Sequence, residues 1–365
     1  MKNLLVTGGA GFIGTNFVYY WLNKYQDHKV IVLDALTYAG NRQNLVAIDK
    51  TPGFKFVHSN ILDQELIEEL LRKNEIDTIV HFAAESHVDR SIHGPDAFIE
   101  TNVVGTHALL KAAKAVWLDD KISIKDHRFH HVSTDEVYGT LTSEDKPFSE
   151  TTPYAPNSPY AASKAGSDHL VRAYHETYGL QVTTSNCSNN YGPYQFPEKL
   201  IPLIINNILE GKPLPIYGDG KQIRDWLYVD DHNHGIDLIL NQGKIGETYN
   251  IGGNNEWQNI DIVKTICGLI DSVFQKDQNI RDSYPNMPFV KGKPSESLIE
   301  YVQDRLGHDR RYAIDATKIQ SDLGFIPKET FETGIRKTLC WYLEERKWCQ
   351  SVMDGSYQNW VKKNY

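Results

Sequence analysis

Nowhere does this sequence hold the roughly 18 uncharged apolar residues in a row that a membrane span needs. Nor has it a long block of Lys or Arg: 38 basic side chains stand against 47 acidic ones, the net charge is −9, and no segment is basic enough to neutralise a polynucleotide backbone. Membrane and nucleic acid are therefore not among the expected partners. Cysteine is scarce too. The four thiols, Cys187, Cys267, Cys340 and Cys349, show neither the paired spacing of a metal site nor a disulfide framework. They are expected to be small, mostly buried apolar side chains, and no metal is expected. The opening MKNLLVTGGAGFIG runs straight into a strand, a turn and a helix, which leaves no room for a secretory leader and makes the cytoplasm the expected location.

What is present is ordinary globular material, 40% apolar and 23% charged, in a chain of 365 residues. That length exceeds what one compact core usually spans, which predicts a large domain with a smaller one packed against it. Short apolar runs alternate with helical-period segments from the start. Strands are predicted over 3–7, 30–34, 55–58, 78–82, 128–133 and 181–185, and helices over 11–25, 64–73, 102–116 and 159–178. This alternation predicts βαβ units, hence a doubly wound parallel α/β sheet of the Rossmann type with ligands beyond the carboxyl ends of its strands. After about residue 190, Pro, Gly and Asn become frequent and the elements shorten. The first domain is placed at 1–190 with returns near 227–251, and a smaller α/β domain at 191–365. A polar stretch over 275–297, with Pro285, Pro288 and Pro294, reads as a surface excursion.

Gly8, Gly11 and Gly14 fall at the turn between the first strand and first helix, in TGGAGFIG. Glycines there permit a tight turn, let the backbone approach a pyrophosphate and allow close packing of helix on strand. Asp34 closes the second strand about 20 residues on, where a carboxylate accepts hydrogen bonds from ribose hydroxyls and repels a 2′-phosphate, so NAD is favoured over NADP. Arg42 is read as a solvated loop charge. Asp63, after Asn60 and Ile61, either approaches the adenine end or caps the next helix.

Tyr160 and Lys164, in SPYAASKAGSDHL, are four residues apart, which puts both on one face of a helix, where an ammonium can lower a phenol pKa from its ordinary value near 10. Such a phenol can take a proton from a sugar hydroxyl. STDEVYG, from Ser133 to Gly139, ends the fifth predicted strand with adjacent acids, Asp135 and Glu136. Oxidising an alcohol needs only the tyrosine; further acid and base groups imply further proton transfers, such as loss of water next to a new ketone.

These residues carry a resemblance. Through TGGAGFIG, LTYAGN, HFAAESHVDRSI, STDEVYG, YAASKAGSDHLVRAYH, NCSNNYGPYQFPEKLIP, LPIYGDGKQIRDWLYVDDH and GHDRRYAID, the sequence resembles the extended short-chain dehydrogenase/reductase superfamily. Over essentially its whole length it is similar to the bacterial sugar-nucleotide 4,6-dehydratases within that superfamily. DEVYG combined with FPEKLIP and GHDRRYAID is much more specific than the superfamily motifs. The resemblance implies a homodimeric lyase that uses NAD to remove water from a nucleoside diphosphate glucose, with dTDP-glucose the expected substrate. UDP-glucose or GDP-mannose dehydration and sugar-nucleotide 4-epimerisation are the nearest alternatives. A non-catalytic NAD(H)-responsive protein is a further one, which has no need of Tyr160, Lys164, Asp135 and Glu136 together.

By the same resemblance, Tyr160 with Lys164 and Thr134 deprotonates the C4 hydroxyl as hydride passes to NAD. Glu136 then takes the C5 proton, Asp135 protonates the departing C6 hydroxyl, and hydride returns to C6. Cofactor positions are Gly8, Gly11, Phe12, Ile13, Gly14, Asp34, Thr37, Asn60, Ile61, Ala83, Ala84, Thr101, Tyr160, Lys164 and Asn190. Substrate positions are Ser86, His87, Thr134, Asn189, Lys199, Leu200, Pro215, Tyr217, Arg224, Asn259, His308 and Tyr312. Arg224 suits bidentate binding of diphosphate oxygens, the reading favoured over a pair with Asp225 or Asp230. Four features depart from the family pattern: Asn60 stands where Asp is expected, Leu306 where Pro is expected, Trp257 lies near the expected nucleotide pocket, and the 275–300 segment is longer than expected.

Overall fold

Apolar side chains on both sides of the first strands dictate the architecture. In β1 (Asn3–Thr7) Leu4 and Val6 face one core and Leu5 the other; in β2 (Lys29–Asp34) Val30 and Val32 oppose Ile31 and Leu33. Such strands are stable only when both faces are covered. The computed structural model describes residues 2–120, 126–304 and 306–355. It shows β3 (Phe54–His58), β4 (Thr78–His81), β5 (Arg128–Thr134) and β6 (Val182–Cys187) joining β1 and β2 in parallel register. Three strands follow, β7 (Asn189–Tyr191), β8 (Leu214–Tyr217) and β9 (Ile223–Tyr228), before β10 (Thr248–Ile251) pairs with β6. The sheet thus has seven strands in the order 10-6-5-4-1-2-3. The fold is the expected doubly wound α/β sheet, and the strand order reverses direction between β1 and β4.

The helices Phe12–Lys24, Gln64–Lys73 and Pro159–Tyr178 stand where the 3.6-residue period puts them. Pro159–Tyr178 is well bounded: the Ser158 hydroxyl accepts from the Ala161 N–H at 3.1 Å, Pro159 opens the first turn, and Gly179 closes it at φ +76°. A hydroxyl cap of this kind contributes about 1 kcal/mol. The helix expected over 102–116 is the middle of a longer one, which begins at Asp96 and passes through π-helical segments at Ile99–Gly105 and Ala115–Asp119. The wider π turns displace the apolar stripe, so the regular period fits only its centre.

A second core forms where Ile201, Ile204, Ile205 and Ile208 of the Leu200–Glu210 helix meet Ile262, Val263, Ile266 and Ile270 of the Asn259–Lys276 helix. Both sets follow the spacing of an amphipathic stripe. Around this core lie two small sheets, β7 and β9 with β11 (Glu256–Gln258), and β8 with β12 (Ile299–Val302). The 275–297 stretch is not simply a surface excursion. Its prolines do break regular structure, but Tyr284 and Met287 are buried in the second core, and Ser295 is fastened to Asp271 through both its N–H and its hydroxyl. Among the described residues no helix is long and apolar enough to cross a membrane, and no group of three or more His, Cys, Asp or Glu is arranged to hold a metal ion. Cys187, Cys267 and Cys349 are buried and Cys340 is exposed.

Candidate active site

At the switch in strand order the carboxyl ends of β1 and β4 diverge and leave a crevice. Here it is a cavity of about 310 Å³, walled by the strand ends and by the loops that follow β6. The turn after β1 is built for close approach. Gly8 sits at φ +71°, and a Cβ on it would fall 2.6 Å from the Ala83 nitrogen; a Cβ on Gly14 would fall 2.3 Å from the Gly8 carbonyl oxygen. No side chain caps the helix that starts at Phe12, so its first N–H groups face the cavity end as an anion site.

Asp34, at the end of β2, is buried and accepts from the N–H groups of Ala10 (2.9 Å) and Leu36 (2.8 Å). Burial raises its pKa, while the two backbone donors work the other way. Each carboxylate oxygen keeps a further acceptor direction, which is what ribose hydroxyls require. Thr37, Asn60, Ile61, Ala83, Ala84, Thr101 and Asn190 line the same cavity as Gly8, Gly11, Phe12, Ile13, Gly14 and Asp34. The residues present therefore fit an adenine dinucleotide without a 2′-phosphate. Asp63 takes the other of its two expected roles, capping Gln64–Lys73 through the Leu66 N–H. Arg42 is not solvated: it is buried, paired with Asp49 and stacked 4.6 Å over Phe56, because its loop folds back onto β3.

The reacting groups gather where β5 ends. Thr134 is the last residue of the strand, and its hydroxyl accepts from the Glu136 N–H at 3.3 Å, capping a short 3₁₀ helix, Asp135–Tyr138. Asp135 is 1% exposed, and its Oδ2 has no hydrogen-bond partner. Burial, then the charges of Glu136 and Asp225, hold its carboxyl well above the usual range. Glu136 is less buried and lines the same cavity. Tyr160 is buried opposite, its phenol in hydrogen-bond contact with Thr134.

Lys164 lines the cavity too, but not in the role that spacing alone suggests. Its ammonium donates to the Val132 carbonyl at 2.9 Å, and Tyr160 is raised well above 10 by burial and then by Glu136. Four-residue spacing sets the two side chains on one face, and the lysine is tied to the backbone of β5, with its charge buried beside His131.

Of the expected substrate positions, Ser86, Thr134, Asn189 and Lys199 line this cavity, and the Lys199 ammonium donates to the Ser86 carbonyl at 3.0 Å. The other eight lie outside its wall. His87 accepts the Arg90 N–H at a helix start, Leu200 opens the Leu200–Glu210 helix, and Pro215 and Tyr217 are on β8. Asn259 begins the Asn259–Lys276 helix with its Oδ1 buried and unpartnered. Arg224 lies on β9. It donates to the carbonyls of Ile223 (2.7 Å) and Asp309 (2.9 Å) and stacks 4.1 Å over Tyr312. His308 pairs with Asp304 at 2.6 Å and meets the Tyr217 ring edge-on. This group still adjoins the cavity, since Arg224 acts on Asp135, and Glu136 acts on Tyr312.

Two departures from the family pattern have clear places. Leu306 is 78% exposed, and the Trp257 ring packs 5.0 Å from that of Phe331. Cavity-lining residues that no motif singled out include Tyr38, Cys187, Ser188, Gln195 and Glu198. Glu198 lies within FPEKLIP and ion-pairs with Arg90 at 3.5 Å; its only signal was membership of that string.

A glycine-walled dinucleotide cavity with a buried tyrosine and lysine at its inner end defines an extended short-chain dehydrogenase/reductase. Comparison with known proteins narrows this. The profile of the GDP-mannose 4,6 dehydratase family matches residues 5–338. The dTDP-glucose 4,6-dehydratase 1 of Escherichia coli K12 is 54% identical over 371 residues, covering 99% of this chain and 98% of its own. That of Xanthomonas campestris pv. campestris strain B100 is 56% identical over 359 residues, with 98% of each covered. Among solved structures, the dTDP-glucose 4,6-dehydratase of Bacillus anthracis in complex with NAD aligns with a TM-score of 0.83 at 45% identity over 96% of this chain and 100% of that one. The Streptomyces venezuelae enzyme, also with NAD bound, gives 0.83 at 47% over the same shares. The chain belongs to this family of nucleotide-sugar dehydratases and, within it, to the dTDP-glucose 4,6-dehydratases.

Proposed function

We propose that this protein is an NAD-dependent hydro-lyase that converts dTDP-glucose into its 4-keto-6-deoxy derivative. The observation that carries the reading is the pairing of Asp135, a buried carboxyl raised well above the usual range, with the neighbouring Glu136, beside Tyr160 and inside a dinucleotide cavity. A 4-epimerase needs no acid for water loss; a dehydratase needs both an acid and a base.

Gly8, Gly11 and Gly14 with the first N–H groups of the Phe12 helix hold the pyrophosphate, and Asp34 holds the ribose hydroxyls. When bound, NAD brings to this cavity a positive charge and a ring that accepts hydride from C4 and returns it at C6. Tyr160 takes the C4 hydroxyl proton as its phenolate, in contact with Thr134, a form that the positive charges of Lys164 and of bound NAD would favour against the opposing effect of burial. The order of steps follows from acidity. A C5 hydrogen in an unoxidised sugar is far too weak an acid for a carboxylate, whereas next to a C4 ketone Glu136 can remove it. Asp135 gives its proton to the C6 hydroxyl, which leaves as water. Glu136 returns its proton to C5, and the proton gained by Tyr160 restores Asp135. Ser86, Asn189 and Lys199 hold the hexose and diphosphate end of the substrate. His87, Leu200, Pro215, Tyr217, Arg224, Asn259, His308 and Tyr312 form its continuation toward the base, a role that fits the unpartnered Asn259 Oδ1.

The reading includes a cytoplasmic homodimer formed through the helices at 96–119 and 159–178, which pack together and carry exposed Ile99, Val104 and Tyr178. Light scattering of the purified protein decides the dimer, and a monomer at working concentration refutes it. The reaction is tested by parallel incubation with dTDP-glucose, UDP-glucose and GDP-mannose, each deuterated at C4. Loss of water from dTDP-glucose with deuterium appearing at C6 is expected. A product that keeps the substrate's mass overturns the reading in favour of epimerisation.

A further inference from the structure

One helical turn beyond Lys164, on the face that also carries Tyr160, lies Asp168. It is buried and well satisfied: its Oδ2 accepts hydroxyls from Ser133 (2.8 Å) and Tyr154 (3.0 Å), and its Oδ1 lies 3.0 Å from His131 Nε2. The same nitrogen is 3.4 Å from the Lys164 ammonium and 3.3 Å from the Ser167 hydroxyl, while His131 Nδ1 is buried without a partner. Burial and then the lysine charge push His131 well below its ordinary pKa, so the ring is neutral and carries one proton. On Nε2 that proton meets the Asp168 carboxylate and leaves only a lone pair unmatched at Nδ1. On Nδ1 it would be an orphaned N–H in the core, the costlier arrangement. His131 is thus a donor to Asp168, and Lys164 donates to the Val132 carbonyl.

We propose that Asp168 is a positioning residue for the oxidation step: beside the His131 Nε2 that both side chains approach, it holds the Lys164 ammonium charged and tied to the end of β5. This rests on the function proposed above. Electrostatics agree with the geometry. Burial lowers the Lys164 pKa, and Asp168 is the largest influence opposing that, ahead of Cys187 on β6. Burial in turn lifts Asp168 to about 6, against the pull of Lys164, Ser133, Tyr154 and His169. The groups facing this pair are therefore Lys164, Ser167 and His169 from its own helix, His131 and Ser133 from β5, Tyr138 from the 3₁₀ turn after β5, His81 from β4, Tyr154 from the preceding loop, and Cys187 from β6. As pH falls through about 6, Asp168 takes up a proton and Lys164 loses its counter-charge.

The test is the pH dependence of the oxidation step in the NAD-loaded enzyme. Wild type should lose rate on the acid side with a midpoint of about 6. Asp168→Asn should lack that limb, fall at least about tenfold at neutral pH, and have its alkaline limb moved down by about 1–3 pH units, since Lys164 ionises without an opposite charge. Tyr154→Phe deletes one donor and keeps the carboxylate, so its acid limb should move up; it decides the matter even where Asp168→Asn fails to fold. A merely structural role lowers the rate equally at all pH and leaves both limbs in place, and that result overturns the proposal. A second measurement needs no substrate: carboxyl carbon NMR of the protein should show the Asp168 midpoint rising in Lys164→Met, and an unmoved midpoint overturns the proposal as well. Because this titration is independent of turnover, a wild-type protein inactive on dTDP-glucose would defeat the functional reading while leaving the coupling itself tested.

Discussion

Replacing Asp135 by Asn separates the proton-donor role from every structural one. The side chain is 1% exposed and one carboxyl oxygen has no partner, so burial, then the charges of Glu136 and Asp225, favours its neutral form. Asn has the same shape and is also neutral; it can donate a hydrogen bond but cannot give up a proton to a leaving hydroxyl. The raised pKa has a thermodynamic consequence with a definite sign. Below the unfolded pKa of about 3.9 the acid is protonated in both states and costs nothing. As pH rises above that value the unfolded chain ionises while the folded one does not, so the wild type loses about 1.4 kcal/mol of stability per pH unit until the folded pKa is reached. Asp135→Asn removes this loss. Its stability relative to wild type should therefore climb as pH rises above about 4, until the raised folded pKa is reached, on top of any constant offset from the amide. Chemical denaturation of both proteins across that range measures the slope, and a raised carboxyl not coupled to Asp135, such as Asp34, cancels in the difference. In the same variant, water elimination should slow by about 10²–10⁴, or roughly 3–5 kcal/mol, while oxidation persists. A stability difference that is flat with pH would mean that Asp135 ionises normally, and the assignment of the acid would fall with it.

Glu136→Gln should reduce the bound nicotinamide on mixing with substrate, yet slow release of product by at least about 10²-fold. Stopped-flow absorbance with mass analysis of the product checks this, and rapid product formation removes Glu136 as the base. Gly14→Ala places a methyl 2.3 Å from the Gly8 carbonyl oxygen and 2.8 Å from Gly9 Cα, backbone atoms that cannot swing aside. It should cost about 1–3 kcal/mol of stability and abolish NAD binding, read by thermal melting and calorimetry; normal NAD affinity would refute the cradle. Asp34→Asn should narrow the preference for NAD over NADP, because the repulsion of a 2′-phosphate is removed; an unchanged ratio of dissociation constants would show that the carboxylate does not face the ribose.

Much of this was legible in the sequence because the site sits where strands end, and strand ends are the best-marked positions of a parallel fold. TGGAGFIG and the acid at 34 mark two of them, STDEVYG a third, and the cavity joins all three. Local signals also found Pro159–Tyr178, with its Ser cap and closing Gly, to the residue. What stayed hidden depends on contacts distant in the chain. Arg42 carries no local sign that Asp49 and Phe56 will enclose it, and Tyr284 and Met287 sit among prolines that read as loop. Asp168 was in plain view four residues after Lys164, but only the pairing of β5 with the helix shows that His131 lies between them. The direction in which Lys164 points is likewise invisible to spacing, which fixes a face of a helix and not the rotamer chosen on it.

The division of labour between Asp135 and Glu136 follows from the helix they share. In a 3₁₀ turn successive side chains point about 120° apart, so two neighbours cannot occupy one environment. Both line the cavity, the first deeply buried against Thr134 and near Asp225, the second more accessible. Different environments then act differently on identical chemistry: enclosure raises the first carboxyl and favours its role as donor, while the second is the more accessible of the two. The charge of Glu136 then adds to the raising of Asp135, so the base strengthens the hold of the acid on its proton until the base itself is neutralised. Once Glu136 has taken the C5 proton that repulsion disappears, and Asp135 becomes a stronger acid at the moment the C6 hydroxyl must leave. Two adjacent letters of the sequence thus couple proton removal to proton delivery, and a variant that changes either charge should disturb both transfers rather than one.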